Sequence, residues 1–136
     1  MLVRSIQERE GTEDEVDDNG FISRRLILAE DGMHYSVHDT EIPPNTSLDM
    51  WYKHHFETVL ITDGEGEIED LATRKRHTLK PGVLYALNEH DQHILHASKK
   101  GLRMICVFYP ALVGPETHQA DGSYPIYNLE EEIVEN

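Results

Sequence analysis

The sequence predicts an all-β protein, a single domain built as a closed or double-sheet β-barrel. Three observations carry that prediction. Eight or more short apolar segments, divided by Gly and Pro turns, crowd into about 90 residues. Helical periodicity is absent outside the last ten residues, and no unit of roughly 20–50 residues repeats. The length, 136 residues, suits one sizeable core and not two.

The elements follow in chain order. EREGTEDEVDD (residues 8–18) and EEEIVE (130–135) hold 11 of the 26 acidic residues and are expected to be solvated, flexible ends. Between them, SRRLILAEDGMHYSVHDTEIPP reads as two strands around a turn at Asp31-Gly32, the second ended by Pro43 and Pro44. YKHHFETVLITDGEGEIEDL reads as two strands hinged at Asp63-Gly64, since Asp-Gly is a hairpin dipeptide. RKRHTLK and PGVLYAL supply one strand each. The polar NEHDQ separates them from two more, HILHAS and LRMICVFYP, and VGPETHQADGSYP reads as turns and loops.

Composition narrows the function. The formal charge of -14 argues against sequence-independent nucleic-acid binding or docking on anionic membranes, both of which need Lys/Arg clusters. Solvated ends explain the acidity, and adaptation to a salty interior is the other reading. MLVRSIQEREG has no apolar leader core, and no run approaches the ~18 apolar residues of a spanning helix. One Cys rules out an internal disulfide. The expectation is a soluble, cytoplasmic protein with no nucleic-acid or membrane partner.

Strand side chains alternate faces. Over 51–61 that puts His55, Glu57, Val59 and Ile61 on one face, a polar mouth above an apolar floor, and leaves His54 exposed on the other. Tyr85 with Leu87, His93 with Leu95, Cys106 with Phe108, Arg25 with Ile27, and Ser36 with His38 and Thr40 are further same-face sets. A barrel could converge these on one cavity. On spacing alone His55, Glu57 and His93 are the metal candidates, Tyr85 is core, and His34, His77 and His90 sit at turns or edges. Cys106 reads as a small buried hydrophobe.

The spacing Glu57-x6-Gly64, followed by KPG…Y…HDQH, resembles the two metal motifs of cupins. SRRLILAEDGMHYSVHDT, YKHHFE, GEGEIEDLATRKRHTLKPGVLYALNEHDQH and CVFYP…GPETHQADGSYP together resemble the ectoine synthase family in one register from Ser23 to Pro125. The resemblance implies a cupin-type barrel (jelly roll) and an iron-dependent lyase, other divalent metals being possible. It implies a likeness to homodimeric enzymes that cyclise N-γ-acetyl-L-2,4-diaminobutyrate to the compatible solute ectoine. It places metal ligands at Glu57, Tyr85 and His93, and the catalytic pair at Tyr52 and His55. Substrate contacts fall at Arg25, Thr40, Cys106, Phe108 and Glu116, with Phe21 and His38 where the family carries other residues. The parity reading of His55 and Tyr85 is thereby exchanged.

Chemically the set is coherent. Two anionic oxygens and an imidazole suit a borderline metal. His55 is the type of residue for a near-neutral base, Tyr52 could relay protons, and the Arg25 fork could anchor a carboxylate, its alternative being a surface pair with Glu30 or Asp31. His54, Tyr109, Ala111 and the stretch THQADG depart from the family's pattern around the cavity mouth. A metal-dependent cupin dioxygenase and a non-catalytic small-molecule binder are the competing classes.

Overall fold

The computed structural model describes residues 1–127 and 133–134. Among the described residues ten strands follow one another: β1 (Glu15–Asp18), β2 (Phe21–Ile27), β3 (Ser36–Ile42), β4 (Ser47–Met50), β5 (Phe56–Asp70), β6 (Arg76–Leu79), β7 (Leu84–Leu87), β8 (His93–Tyr109), β9 (Ile126–Tyr127) and β10 (Ile133–Val134). Single 3₁₀ turns occupy Gln7–Arg9 and Ala29–Asp31. The first eight strands form one antiparallel sheet in the order β1-β2-β3-β8-β5-β6, with β4 also paired to β8 and β7 to β5.

The architecture depends on the two long strands. β5 pairs with β7 along its first half and with β6 along its second. β8 pairs with β4 along its first half and with β3 along its second. The sheet therefore folds over on itself along the β5–β8 ladder. Inside the fold, Val59, Ile61, Ile68, Leu79, Leu95 and Met104 belong to one buried cluster. The double-sheet barrel expected from the strand count is the fold observed.

The expected hinge at Asp63-Gly64 and the expected break between HILHAS and LRMICVFYP are both absent. The chain runs straight through Asp63-Gly64 as β5 and through Gly101 as β8. What bends there is the ladder, whose register shifts between Ile61 and Asp63 and again between Gly64 and Gly66. Glycine is required because the backbones nearly touch. A Cβ on Gly66 would lie 2.1 Å from the His96 carbonyl oxygen, and one on Gly64 equally close to that of Gly101. Asp-Gly here marks a bulge, the other conformation that this dipeptide's freedom serves.

The acidic N-terminal run is ordered into the sheet at its end. Glu15–Asp18 is β1, paired with β2, and Asp18 is 3% exposed. Upstream, Arg4 pairs with Asp31 at 2.6 Å. A register shift between Arg25 and Ile27 breaks the common face expected for those two. At the other end, Glu130, Glu131, Glu132 and Glu135 of the acidic tail lie outside the described residues. In the stretch where a helical period was expected, the backbone of Ile133–Val134 pairs with Ile126–Tyr127 as strand.

Candidate active site

Residues 51–55 are a turn and not the start of a strand. The Lys53 N–H donates to the Trp51 carbonyl (3.0 Å) and the His55 N–H to that of Tyr52 (3.4 Å). Strand parity applies only from Phe56 onward. That is why Tyr52 and His55, three residues apart, are both buried, and why His54 is half-buried and not fully exposed as parity predicts. His90 staples the turn: its Nδ1 lies 2.9 Å from the Tyr52 carbonyl and 3.2 Å from that of His55. Carbonyls only accept, so Nδ1 carries the proton. His34 and His77 are exposed, as expected of edge residues.

Along β5 the alternation holds. Glu57, Val59 and Ile61 point inward and are buried, while Phe56 and Leu60 are exposed. Tyr85 on β7 stands opposite Val59, and His93 opens β8 opposite Met50 and Asp70. Glu57, Tyr85 and Tyr52 line one narrow central cavity of about 20 Å³, room for an ion or a water and well below the usual ligand site. Of the expected substrate contacts, Phe21, Thr40, Cys106 and Phe108 line it too. His93 lies beside it, its ring 5.9 Å from that of Tyr52. His55 lies edge-on to Phe108 at 6.0 Å and to Tyr124 at 6.3 Å.

Burial dominates the electrostatics. It pushes the Glu57 carboxyl up to about 8, offset only in part by a hydrogen bond from Cys106. It lifts the phenols of Tyr52 and Tyr85 well above their ordinary value, with Glu57 adding to both. It pushes His55 down to about 4, helped by His54 and His90, so the near-neutral base expected there is not what the free site holds. His93 is lowered by burial as well.

These residues fit a cation. Two acidic groups, Glu57 and Tyr85, are buried together; burial disfavours the ionised form of both and the Glu57 charge adds to this at Tyr85, and a divalent ion would reverse that. His93 donates from Nδ1 to the Asp91 carbonyl at 2.9 Å, which leaves its Nε2 as a bare lone pair. That Nε2 is buried and has no hydrogen-bond partner. A backbone carbonyl fixing the far nitrogen is the usual support of a ligating histidine. Among the described residues no three His, Cys, Asp or Glu side chains gather to hold an ion, so Tyr85 is needed as the third donor.

The remaining candidates are arranged behind the cavity wall. Arg25 is fully buried, so the surface-pair alternative fails; Asp31 is taken by Arg4. Its guanidinium donates to the carbonyls of Gly114 and Glu116 (2.8 Å to the latter), with its charge 3.9 Å from the Glu116 carboxylate. That carboxylate is folded back on its own loop, accepting the N–H groups of Val113 (2.7 Å) and Gly114 (2.8 Å). His38 is buried against Phe108, its Nε2 2.9 Å from the Ser36 hydroxyl.

Two participants, Tyr124 and Asp18, escape sequence reasoning, and a third, His118, reads there only as ambiguous between a substrate contact and a solvent-facing loop residue. Tyr124 stacks on Tyr52 at 5.3 Å and lines the cavity. It is carried there by the Gly122 turn, whose carbonyl accepts the Trp51 N–H at 2.9 Å. His118 places Nε2 2.6 Å from the Tyr52 hydroxyl, and its Nδ1 lies 2.6 Å from the Asp18 carboxylate. The loop residues stand within THQADGSYP, where only a Gly turn is legible. Asp18 is indistinguishable by composition from the acids around it.

Comparison with known proteins is consistent across three measures. The family model described as Ectoine synthase matches residues 1–128. A curated L-ectoine synthase from Desulfosudis oleivorans is 50% identical over 126 residues, covering 93% of this chain and 98% of that one. The crystal structure of ectoine synthase from P. lautus superposes with a TM-score of 0.80 at 42% identity, covering 84% of this chain and 81% of that one. A Cupin 2 conserved barrel domain protein from Salinispora arenicola shares the fold at 16% identity and a TM-score of 0.64, covering 80% of this chain and 88% of that one.

Proposed function

The chain belongs to the ectoine synthase family, and from that premise we propose that it is an iron-dependent lyase closing N-γ-acetyl-L-2,4-diaminobutyrate into ectoine with loss of water. The observation that carries the reading is the donor set of Glu57 and Tyr85 in the cavity wall with the bare Nε2 of His93, whose ring packs beside that of Tyr52. Iron bound there would supply a Lewis acid to polarise the substrate's amide carbonyl.

This chain's residues do the rest. Bond formation between the α-amine and the acetamide carbon gives a tetrahedral carbinolamine. Loss of the oxygen as water leaves the cyclic C=N. Both protons of the attacking nitrogen depart in that water, so two protons must be moved. His55, held neutral at pH 7 by burial, accepts one. Tyr52, whose phenol burial keeps protonated, relays the other. Phe108, Tyr124 and Phe21 wall the cavity against water and hold amine and carbonyl in contact, an effect of roughly 7–11 kcal/mol when orientation is optimal. Arg25 supplies positive charge for the substrate carboxylate, its fork already anchored to the 114–116 loop.

The proposed setting is the cytoplasm under osmotic stress, with the product as compatible solute. No helix among the described residues is long and apolar enough to cross a membrane. The proposed partner is a second copy of the chain. The outer face of β7-β5-β8 presents Phe56, Leu60, Leu84 and Tyr109, each 42–58% exposed, as paired neighbours across the ladders. Incubating the iron-loaded protein with N-γ-acetyl-diaminobutyrate and separating the products tests the function. Ectoine is expected, and its absence under every metal condition would overturn the reading.

A further inference from the structure

We propose that Asp18 is a positioning residue for this cyclisation, locking His118 in the Nδ1–H tautomer so that its Nε2 accepts the proton of the Tyr52 hydroxyl. The proposal rests on the function inferred above, and it adds two residues from outside the cavity wall, one of them on the first strand.

The hydrogen bonds fix the proton on Nδ1. A single oxygen of Asp18, Oδ2, receives both the main-chain N–H of His118 (2.8 Å) and its Nδ1 (2.6 Å). A main-chain N–H can only donate, so Oδ2 is an acceptor and Nδ1 must bring the hydrogen. Asp18 is 3% exposed; burial raises its carboxyl, and the hydrogen bonds and charge of His118 with the charge of Arg25 more than reverse that, leaving it ionised. In the neutral ring Nε2 is then a lone pair, and 2.6 Å away stands the Tyr52 hydroxyl. That hydroxyl has one proton and two takers. The other is the thioether of Met50 at 3.1 Å, a weak acceptor. The ring cannot swing away, being stacked on Tyr124 at 4.2 Å and tilted against Phe21 at 5.2 Å.

The consequence concerns the second proton of the reaction. With its own hydrogen directed to His118, Tyr52 turns its lone pairs to the cavity. It can take a proton from the substrate nitrogen while passing its own to Nε2. The imidazolium so formed is held against the Asp18 carboxylate, and the transfers reverse when the departing oxygen needs a proton. No oxidant, reductant or further reactant enters. An aspartate fixing a histidine's tautomer for a hydroxyl partner is a known solution on unrelated folds.

The test combines a spectroscopic and a kinetic arm on the iron-free and iron-loaded full chain. In ¹⁵N-histidine protein, long-range ¹H–¹⁵N correlations assigned with His118→Gln should show the wild-type ring as the Nδ1–H tautomer. Asp18→Ala should release that tautomer and lower kcat roughly 10–100-fold with KM within about twofold. Asp18→Asn can keep an amide oxygen under both donors, so it should retain the tautomer and lose clearly less kcat than Asp18→Ala. A wild-type Nε2–H ring would overturn the proposal. So would an unchanged kcat with raised KM in Asp18→Ala, the mark of a mere tether for the loop, or an Asp18→Asn as impaired as Asp18→Ala. Should Asp18→Ala fail to fold, the wild-type spectrum and Asp18→Asn still decide. If the iron-loaded wild type makes no ectoine, the function fails while the tautomer is still measured; ectoine with an Nε2–H ring sinks this proposal alone.

Discussion

At Arg25 a full positive charge sits with no solvent exposure, and its donors are committed to a loop. Removing it would leave the Gly114 and Glu116 carbonyls buried without their donors and the Glu116 carboxylate without its nearest cation. Arg25→Ala should therefore cost roughly 3 kcal/mol or more of stability. It should also raise KM and lower kcat together, because the same loop leads to His118. Denaturant midpoints and steady-state kinetics on one preparation check this, and a wild-type midpoint would contradict it. Parity in the sequence put Glu57 on the inward face of its strand and His93, Cys106 and Phe108 on faces that a barrel could turn inward, since a period of two follows from the pleat alone; all four are buried. It could not assign Tyr85, because a phenol in a strand reads as core until the neighbouring Glu57 is known. Nor could it find Asp18, whose partner His118 is 100 positions away in sequence.

Elements were legible where composition alone decides them, and misread where the same residues serve two purposes. β2 and β3, split by a turn that ends at Gly32, stand where the turn chemistry puts them. Asp63-Gly64 and Gly101 carry the same glycine freedom but serve a crossing of two long strands. β4 was missed because Ser47–Met50 has only four residues, too short a stretch for its alternation to stand out. The crossing gives its own prediction. Gly66→Ala would force a methyl onto the His96 carbonyl oxygen, a backbone atom that cannot rotate away. The expected loss is about 3 kcal/mol, at the upper end for overpacking, since β5 and β8 must separate to relieve it. A thermal melt of the variant checks this, and a wild-type midpoint would show that the strands do not pack so closely.

Over the whole molecule, one folded sheet produces two unlike faces. The inner face closes on the cavity and its buried acids, and the outer face of β7-β5-β8 leaves large apolar side chains in contact with water. If a second copy covers that outer face, Leu84→Glu should yield monomers in size-exclusion chromatography with light scattering, with the barrel still folded. A dimer of unchanged mass would place the interface elsewhere. On the inner face, the proposed roles are that Glu57 holds the metal while His55 moves protons. Iron content of purified Glu57→Ala and His55→Ala, measured side by side after identical loading, tests them most directly. Glu57→Ala should be depleted of iron, and His55→Ala should retain the wild-type content while turnover is lost. Iron kept by Glu57→Ala and lost by His55→Ala would contradict these roles.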